Sequence, residues 1–178
     1  MKVLAFAATN SRHSINKALV THAAELLQRN AGAELEILDL NDFEMPIYSI
    51  DREQDSGIPE PARAFFDKIA AADVILIAYA EHNGNVTAAY KNIFDWASRI
   101  DQKVYQNKPA VLMATSPGPG GAQSVLASAS GSAPYFAMDV KGTLSVPSFY
   151  DNFDSEAGAL RDPELAQQLA AELAKLAD

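Results

Sequence analysis

Continuous apolar runs along the chain alternate with segments whose apolar residues recur every three to four positions. The apolar runs at 3–8, 73–79 and 110–115 are typical of strands buried on both faces of a sheet, and the run at 73–79 suits a central strand best. Residues 34–40 alternate polar and apolar side chains, which predicts a half-exposed strand nearer an edge. A fifth strand is predicted within 142–146.

The segments between these strands have helical spacing. One predicted helix runs over 15–30, and its apolar residues Ile15, Leu19, Ala23, Leu26 and Leu27 fall on one face. The others are predicted from Pro59 to about residue 70, over 86–100, over 122–130, and from Asp162-Pro163 to the carboxyl end.

Strands that alternate with helices predict βαβ units and therefore a parallel sheet. Five such units in 178 residues match a flavodoxin-like doubly wound α/β architecture, a three-layer α/β/α sandwich with strand order 2-1-3-4-5. We expect residues 1–178 to form a single domain. Residues 41–59 are predicted to be a long loop, in which the apolar stretch 45–48 either covers a ligand or packs on the domain edge.

Composition restricts the chemistry and the partners. The chain has no cysteine, so thiolate catalysis, disulfides and iron–sulfur ligation are excluded, and no His/Asp/Glu grouping has metal-ligand spacing. The formal net charge of -9 disfavours nucleic acid and anionic membranes. No apolar run approaches the roughly 20 residues that span a bilayer, and no export signal is visible. We therefore expect a cytoplasmic protein without membrane insertion.

Residues 8–16 connect the first strand to the first helix and form the most informative stretch. The free amide groups at a helix amino end attract anions, and this loop adds serine and threonine hydroxyls and asparagine amides that can donate to phosphate oxygens. The alternative is that Ser11 or Ser14 is only a helix N-cap.

Two further loops have unusual chemistry and follow strands that neighbour the first. Residues 80–85 offer asparagine and backbone amides, which suit a heterocycle, and residues 116–121 are glycine-rich, so their backbone can approach a flat ring. Ligands of open parallel sheets bind at the carboxyl ends of the strands. The three loops therefore predict a site for a mononucleotide with a planar ring system. The fingerprints of dinucleotide-binding and P-loop proteins are absent from the sequence.

The motifs of these loops, together with residues 91–96, resemble the three signatures of the NADPH-dependent FMN reductase family, which includes quinone, azo-dye and chromate reductases. The resemblance covers essentially the whole chain. It implies FMN with NADPH or NADH as reductant, the phosphate on the first loop, the ring on the second and the far edge of the ring on the third. The implied cofactor-binding residues are Thr9, Asn10, Ser11, Arg12, Ser14, Ile15, Asn16, Ala80, Glu81, His82, Asn83, Gly84, Ser116, Pro117, Gly118, Gly120 and Gly121.

On this interpretation the reaction passes a hydride from NAD(P)H to a small acceptor such as a quinone, a free flavin or an azo compound. Because the flavin carries the chemistry, no catalytic side chain is assigned. Three alternatives stay open: a flavodoxin-type electron carrier, a flavin-binding sensor, and a scaffold without cofactor. Family members often have tyrosine at the position of His82, so an imidazole here is a departure that affects stacking or substrate access.

Other singled-out residues have simpler roles. His13 and His22 are predicted to be solvated residues of the first helix, and Trp96 and Tyr79 to be packing residues. The helix over 86–100 carries more apolar residues than one core-facing stripe needs, which predicts a homodimer or homotetramer with FMN near the interface.

Overall fold

A five-stranded parallel sheet forms the centre of the molecule. The computed structural model describes residues 1–176, so the last two residues of the predicted domain lie outside the described part. The strands are β1 (Lys2–Ala7), β2 (Glu34–Leu38), β3 (Val74–Tyr79), β4 (Lys108–Thr115) and β5 (Met138–Val146). Their order is β2-β1-β3-β4-β5, and every neighbouring pair is parallel. The predicted strand order is confirmed.

Seven helices occur in the described residues. They are α1 (Ile15–Ala31), α2 (Ile50–Ser56), α3 (Glu60–Ala71), α4 (Ala88–Ile100), α5 (Gln123–Ser132), α6 (Phe149–Asn152) and α7 (Pro163–Ala174), with 3-10 turns at Leu40–Phe43 and Ala133–Phe136. None of the helices in this part of the chain has the length and apolar character needed to cross a membrane.

The helices cover both faces of the sheet, which gives three layers. Alternate side chains of β1 and β3 point to opposite faces: Val3 and Leu76 pack with α1 and α7, whereas Phe6 and Ile77 pack with α3, α4 and α5. All six residues of β3 are buried, as expected for the central strand. The predicted three-layer flavodoxin-like fold is confirmed.

Local signals set the helix ends near the predicted positions. Helix α1 ends at Gly32, whose left-handed φ of 62° closes the helix, because glycine adopts this conformation without a steric penalty. Helix α7 begins after Asp162, whose carboxylate accepts a hydrogen bond from the Leu165 amide at 2.8 Å.

Two segments differ from the prediction. The stretch 41–59 is not one loop, because the 3-10 turn overlaps its start and α2 lies within it, capped by Ser49. Beyond β5 the sequence pattern predicted no structure before α7, but the chain forms α6 and a short hairpin of β6 (Phe153–Asp154) and β7 (Ala159–Leu160). Strands of two residues have no periodicity that a sequence could show.

This hairpin changes the environment of His22, so the prediction that His22 is solvated is wrong. The side chain is 6% exposed and meets the Phe153 ring edge-on at 6.0 Å. Its Nε2 lies 3.5 Å from the Leu160 amide nitrogen, which donates to it. Burial, with a smaller contribution from Arg29, lowers the pKa of His22 below its ordinary value of 6.5.

Candidate functional site

The loops that follow β1, β3 and β4 meet at the carboxyl edge of the sheet and line an open cavity of about 290 Å³. Ten of the predicted site residues line it: Thr9, Ser11, Ser14, Ile15, Asn16, Ala80, Glu81, His82, Ser116 and Pro117. The structure therefore brings the three predicted loops to one place.

Ser14 is the N-cap of α1, which was the alternative reading of the first loop. Its backbone is extended, and its Oγ accepts hydrogen bonds from the amides of Asn16 at 3.2 Å and Lys17 at 3.4 Å. The cap uses the acceptor capacity of the hydroxyl and leaves its proton available to an anion. The cap and the proposed phosphate contact are therefore compatible.

Two threonines hold the backbone of the first loop in place. Thr9, which is 5% exposed, accepts a hydrogen bond from the Ser11 amide through its Oγ1 at 3.2 Å. Thr87, the N-cap of α4, donates its hydroxyl proton to the Ala8 carbonyl at 2.9 Å. The loop is thus tied to the helix that follows β3.

Asn16 joins the first loop to the third. Its Nδ2 donates to the Thr115 carbonyl at 3.1 Å, and its Oδ1 accepts from the Thr115 amide at 3.0 Å. The side chain is 2% exposed and both ends of its amide are paired. In this structure Asn16 positions α1 against the end of β4, whereas the family resemblance implies a contact of Asn16 with the phosphate.

The second loop closes on a tight turn. The amide of His82 donates to the Asn85 carbonyl at 2.9 Å and the amide of Asn85 donates back to the His82 carbonyl at 3.2 Å. Asn83 and Gly84 between them have positive φ values of 54° and 77°, which is characteristic of the Asn-Gly type I′ turn. These two residues are exposed and do not line the cavity, whereas His82 does.

Glu81 has a structural contact that its sequence position does not reveal. Helix α5 begins after Ala122, which has no capping side chain, and the Glu81 Oε2 accepts a hydrogen bond from the Val125 amide at 2.8 Å. A negative charge at this helix end is favourable. The carboxylate therefore fixes the start of α5 from the neighbouring loop.

The glycines of the third loop have different surroundings. A Cβ on Gly121 would lie 2.3 Å from Ser145 Oγ, so this glycine is required by packing against β5. A Cβ on Gly118 or Gly120 would have no atom within 4 Å, so both face open space, although neither lines the cavity. The Gly118 carbonyl accepts hydrogen bonds from the Ser148 amide at 2.9 Å and from Ser116 Oγ at 3.1 Å.

The remaining predicted residues of the first loop lie at its rim. Asn10 and Arg12 are exposed and do not line the cavity. The Asn10 carbonyl accepts a hydrogen bond from Asn41 Nδ2 at 3.0 Å, which ties the loop to the segment after β2.

Tyr150 lines the cavity and was missed by the sequence reasoning. It lies in α6, shortly after β5, and is 65% exposed. The rule that selected the other three loops, namely that ligands bind at the carboxyl ends of parallel strands, also applies to the residues after β5.

The apolar stretch 45–48 packs on the domain edge, which was one of its two predicted roles. The Pro46 carbonyl accepts hydrogen bonds from Trp96 Nε1 at 2.7 Å and from Asn92 Nδ2 at 3.1 Å. The Tyr48 ring meets the Trp96 ring edge-on at 5.0 Å. Trp96 and Tyr79, both 1% exposed, are packing residues as predicted.

Charges near the cavity are arranged so that few positive side chains face it. Lys17 pairs with Asp39, and this hydrogen bond, together with the Asn41 amide, lowers the pKa of the Asp39 carboxyl to about 2. His13 lines the cavity and is exposed. An anion here would therefore be held mainly by the helix end and by neutral donors. Within residues 1–176 there is no group of three His, Asp or Glu side chains that could hold a metal ion.

Comparisons with known proteins agree on one family. The model of the family described as NADPH-dependent FMN reductase matches residues 1–151. An NADPH:quinone oxidoreductase of Arabidopsis thaliana is 34% identical over 125 residues, which are 70% of this chain and 62% of that protein. An NAD(P)H:quinone oxidoreductase of Solanum tuberosum is 30% identical over 189 residues, 99% of this chain and 91% of that protein.

Solved structures share the fold over nearly the whole chain. The flavoenzyme NAD(P)H:(acceptor) oxidoreductase FerB from Paracoccus denitrificans has a TM-score of 0.75 and 23% identity, with 99% of this chain and 97% of that chain covered. A flavodoxin from Pseudomonas aeruginosa has a TM-score of 0.61 and 15% identity, with both chains covered completely. At these identities the similarity shows the fold alone.

Proposed function

Because the chain belongs to the NADPH-dependent FMN reductase family, we propose that it is an oxidoreductase that uses FMN and NAD(P)H to reduce a small acceptor. A quinone is the acceptor we favour, since relatives from Arabidopsis thaliana and Solanum tuberosum are named quinone oxidoreductases. A free flavin, an azo compound or a similar acceptor is the wider class. The cytoplasmic location stays a prediction from the sequence.

One observation carries the proposal: three loops of matching chemistry line a single cavity at the amino end of α1. The residues present fit FMN, because the hydroxyls of Ser11 and Ser14 and the free amides of a 17-residue helix suit a phosphate. The backbone of the second and third loops, from Ala80 to His82 and at Ser116 and Pro117, offers the surface for the ring. We propose the whole predicted set, including the rim residues Asn10, Arg12, Asn83, Gly84, Gly118, Gly120 and Gly121, as the FMN site.

The protein has a positioning role in this proposal. FMN, when bound, supplies the ring that accepts and gives up a hydride. Ser14 and the α1 amides fix the phosphate, Asn16 holds the first and third loops at a constant distance, and Glu81 fixes the start of α5. No acid or base is assigned, because hydride transfer between the nicotinamide and the acceptor needs little proton transfer from side chains.

A reductase is favoured over an electron carrier by the shape of the second loop. Its exposed turn consists of His82, Asn83, Gly84 and Asn85, and none of these is a tryptophan, tyrosine or phenylalanine that would cover a flavin. In this proposal the second loop therefore leaves the ring open to a nicotinamide and then to an acceptor. Similarity to a flavodoxin concerns the fold only and does not favour the carrier.

Anaerobic reduction of the flavin separates the candidates. The purified protein is loaded with FMN, mixed with NADPH or NADH without oxygen, and followed by the flavin absorbance. We expect rapid bleaching, and recovery of the oxidised spectrum on addition of a benzoquinone. Bound flavin that stays oxidised with both donors would favour a carrier or sensor, and a protein that binds no FMN would contradict the proposal.

We also propose that the protein acts as a homodimer or homotetramer. In the described residues the apolar surplus of α4 is partly covered within the chain, since Trp96 lies under residues 45–48 and the Phe94 ring meets Phe136 at 4.7 Å. Val86 and Phe94 still line an open groove between α4 and α5. Sedimentation velocity at micromolar concentration is expected to show an oligomer, and a strict monomer would contradict this part of the proposal.

A further inference from the structure

Lys17 is a cation at a helix end where anions are favoured. It lies in the first turn of α1, and the other residues of that turn, Ile15, Asn16 and Ala18, are uncharged. The positive end of the helix dipole repels a cation and attracts an anion. A lysine at this position is therefore expected to meet a compensating negative charge, which comes either from the protein or from a ligand.

Asp39 supplies this charge in the structure. It follows β2 directly, and its Oδ2 accepts a hydrogen bond from Lys17 Nζ between α1 and the end of β2. The side chains of Lys17 and Asp39 are 37% and 33% exposed, so solvent screens the pair only in part. Lys17 does not line the flavin cavity. The charge of the lysine is thus neutralised outside the site that it adjoins.

The backbone of Lys17 lies beside the proposed phosphate position. Its amide donates to Ser14 Oγ at 3.4 Å, and Ser14 is the residue that the proposed function places against the phosphate. Side chains of a helix lean toward its amino end, and lysine has a flexible four-carbon stem. Once released from Asp39, the ammonium group is therefore free to turn toward the phosphate.

The second oxygen of the Asp39 carboxylate has a different task. Oδ1 accepts hydrogen bonds from the Asn41 amide at 3.0 Å and from Asn41 Nδ2 at 2.7 Å. The same Nδ2 donates to the Asn10 carbonyl of the first loop at 3.0 Å. An asparagine at position 39 would keep its oxygen toward these two donors and turn its NH₂ group toward Lys17, which it cannot hold.

From these contacts we infer that Asp39 is a positioning residue that withholds the charge of Lys17 from the FMN phosphate and so lowers the affinity of the site for FMN. The inference rests on the proposed function, since it requires the phosphate at the amino end of α1. The pKa of the Asp39 carboxyl, lowered to about 2 mainly by the hydrogen bond from Lys17, keeps this group charged at neutral pH. The protein therefore releases FMN more readily than the same site with a free lysine would.

Asp39→Asn tests the inference, because it releases Lys17 and keeps the acceptor for Asn41. The matched control is Glu36→Gln, since Glu36 pairs from β2 with Lys68 and does not line the cavity. Both variants remove one negative charge, so any general effect on the binding of anions is the same. The double variant Lys17→Met/Asp39→Asn has neither charge of the pair.

Affinities for FMN and for riboflavin, which has no phosphate, would be measured by flavin fluorescence. In Asp39→Asn the affinity for FMN is expected to rise by about fivefold, the size of effect of a partly exposed charge pair, and that for riboflavin to stay the same. The rise is expected to shrink at high ionic strength, because salt screens exposed charges. Glu36→Gln changes neither affinity, and the double variant binds FMN as the wild type does.

Several results would overturn the inference. An affinity for FMN that is unchanged or lower in Asp39→Asn would show that Lys17 is not withheld from the phosphate. A rise that persists in the double variant, or that Glu36→Gln reproduces, would show that it does not come from Lys17. An equal rise for riboflavin would show that the phosphate is not involved.

A titration of the flavin-free protein with inorganic phosphate keeps this test separate from the proposed function. Amide chemical shifts of residues 11–17 are expected to change at a lower phosphate concentration in Asp39→Asn than in the wild type. If both proteins respond at the same concentration, the inference is wrong even if FMN is reduced normally. If Asp39→Asn responds at the lower concentration but neither protein binds FMN, the proposed function is contradicted and the role of Asp39 at an anion site is retained.

Discussion

Ser14 combines a structural and a binding role at one side chain, and a single substitution separates them. Aspartate is as good an N-cap as serine, so Ser14→Asp is expected to keep the stability within about 0.5 kcal/mol. Its charge would lie beside the proposed phosphate. Like charges about 4 Å apart repel by several kcal/mol near a protein surface, so FMN affinity is expected to fall by more than about tenfold.

Urea unfolding and FMN titration measure the two effects. The matched control is Ser49→Asp, because Ser49 caps α2 through the Arg52 amide at 3.2 Å and does not line the cavity. It is expected to change neither quantity. FMN affinity that is unchanged in Ser14→Asp would show that the phosphate does not lie at this helix end.

Asn16 tests whether the site is held together by a side chain or by the ligand. Asn16→Ala removes both hydrogen bonds to Thr115 and leaves a buried amide and carbonyl without their partner. We expect the flavin-free protein to lose about 2–4 kcal/mol of unfolding free energy in urea. Asn30→Ala, at an exposed position of the same helix, is expected to be neutral. A stable Asn16→Ala protein would restore the interpretation that this amide serves the ligand.

At the scale of elements, α5 depends on a neighbouring loop for its first turn. Glu81→Ala removes the side-chain acceptor of the Val125 amide, so it is expected to cost about 1 kcal/mol and to speed hydrogen exchange at that amide. Glu81→Gln keeps an acceptor oxygen and is expected to cost less. If Glu81→Ala leaves the exchange at Val125 unchanged, α5 does not depend on this contact.

The elements differ in how far the sequence predicts them. The strands and long helices have apolar patterns of their own, and the loop positions follow from the topology of a parallel sheet, so the meeting of three loops was predictable. The contacts within the site were not. Asn16 pairs with a residue 99 positions away and Glu81 with one 44 positions away, and no local pattern shows where such side chains point. The β6–β7 hairpin depends on long-range packing of Phe153 against His22 in the same way.

At the scale of the molecule, we propose that residues 1–178 form one cooperative domain. Each face of the sheet carries its own apolar cluster, one with Phe6 and the other with Val3, and both residues belong to β1, so the two clusters are joined through the same strands. Trp96 belongs to α4 and is buried under residues 45–48. Its fluorescence is therefore sensitive to unfolding of the helical layer that contains α4. Its fluorescence and the far-ultraviolet circular dichroism are expected to change at the same urea concentration. If the two signals have different urea midpoints, the prediction of a single cooperative domain is wrong.

The response of stability to acid is a property of the whole molecule, to which His22 and Asp39 contribute in different pH ranges. The folded protein binds a proton at His22 less readily than the unfolded chain, whose histidine titrates near 6.5. Stability is therefore full above about pH 6.5 and falls as the pH drops below it. The pKa of the Asp39 carboxyl is depressed to about 2, so this group removes stability only below about pH 4.

We expect Tm to fall by a few degrees between pH 7 and pH 5. In His22→Gln the fall of Tm over this range is expected to be smaller, while the loss of stability below pH 4 stays the same. The neighbouring charges Glu25 and Arg29 are unchanged in that variant, so a slope between pH 7 and pH 5 equal to that of the wild type would show that the buried imidazole does not titrate on unfolding.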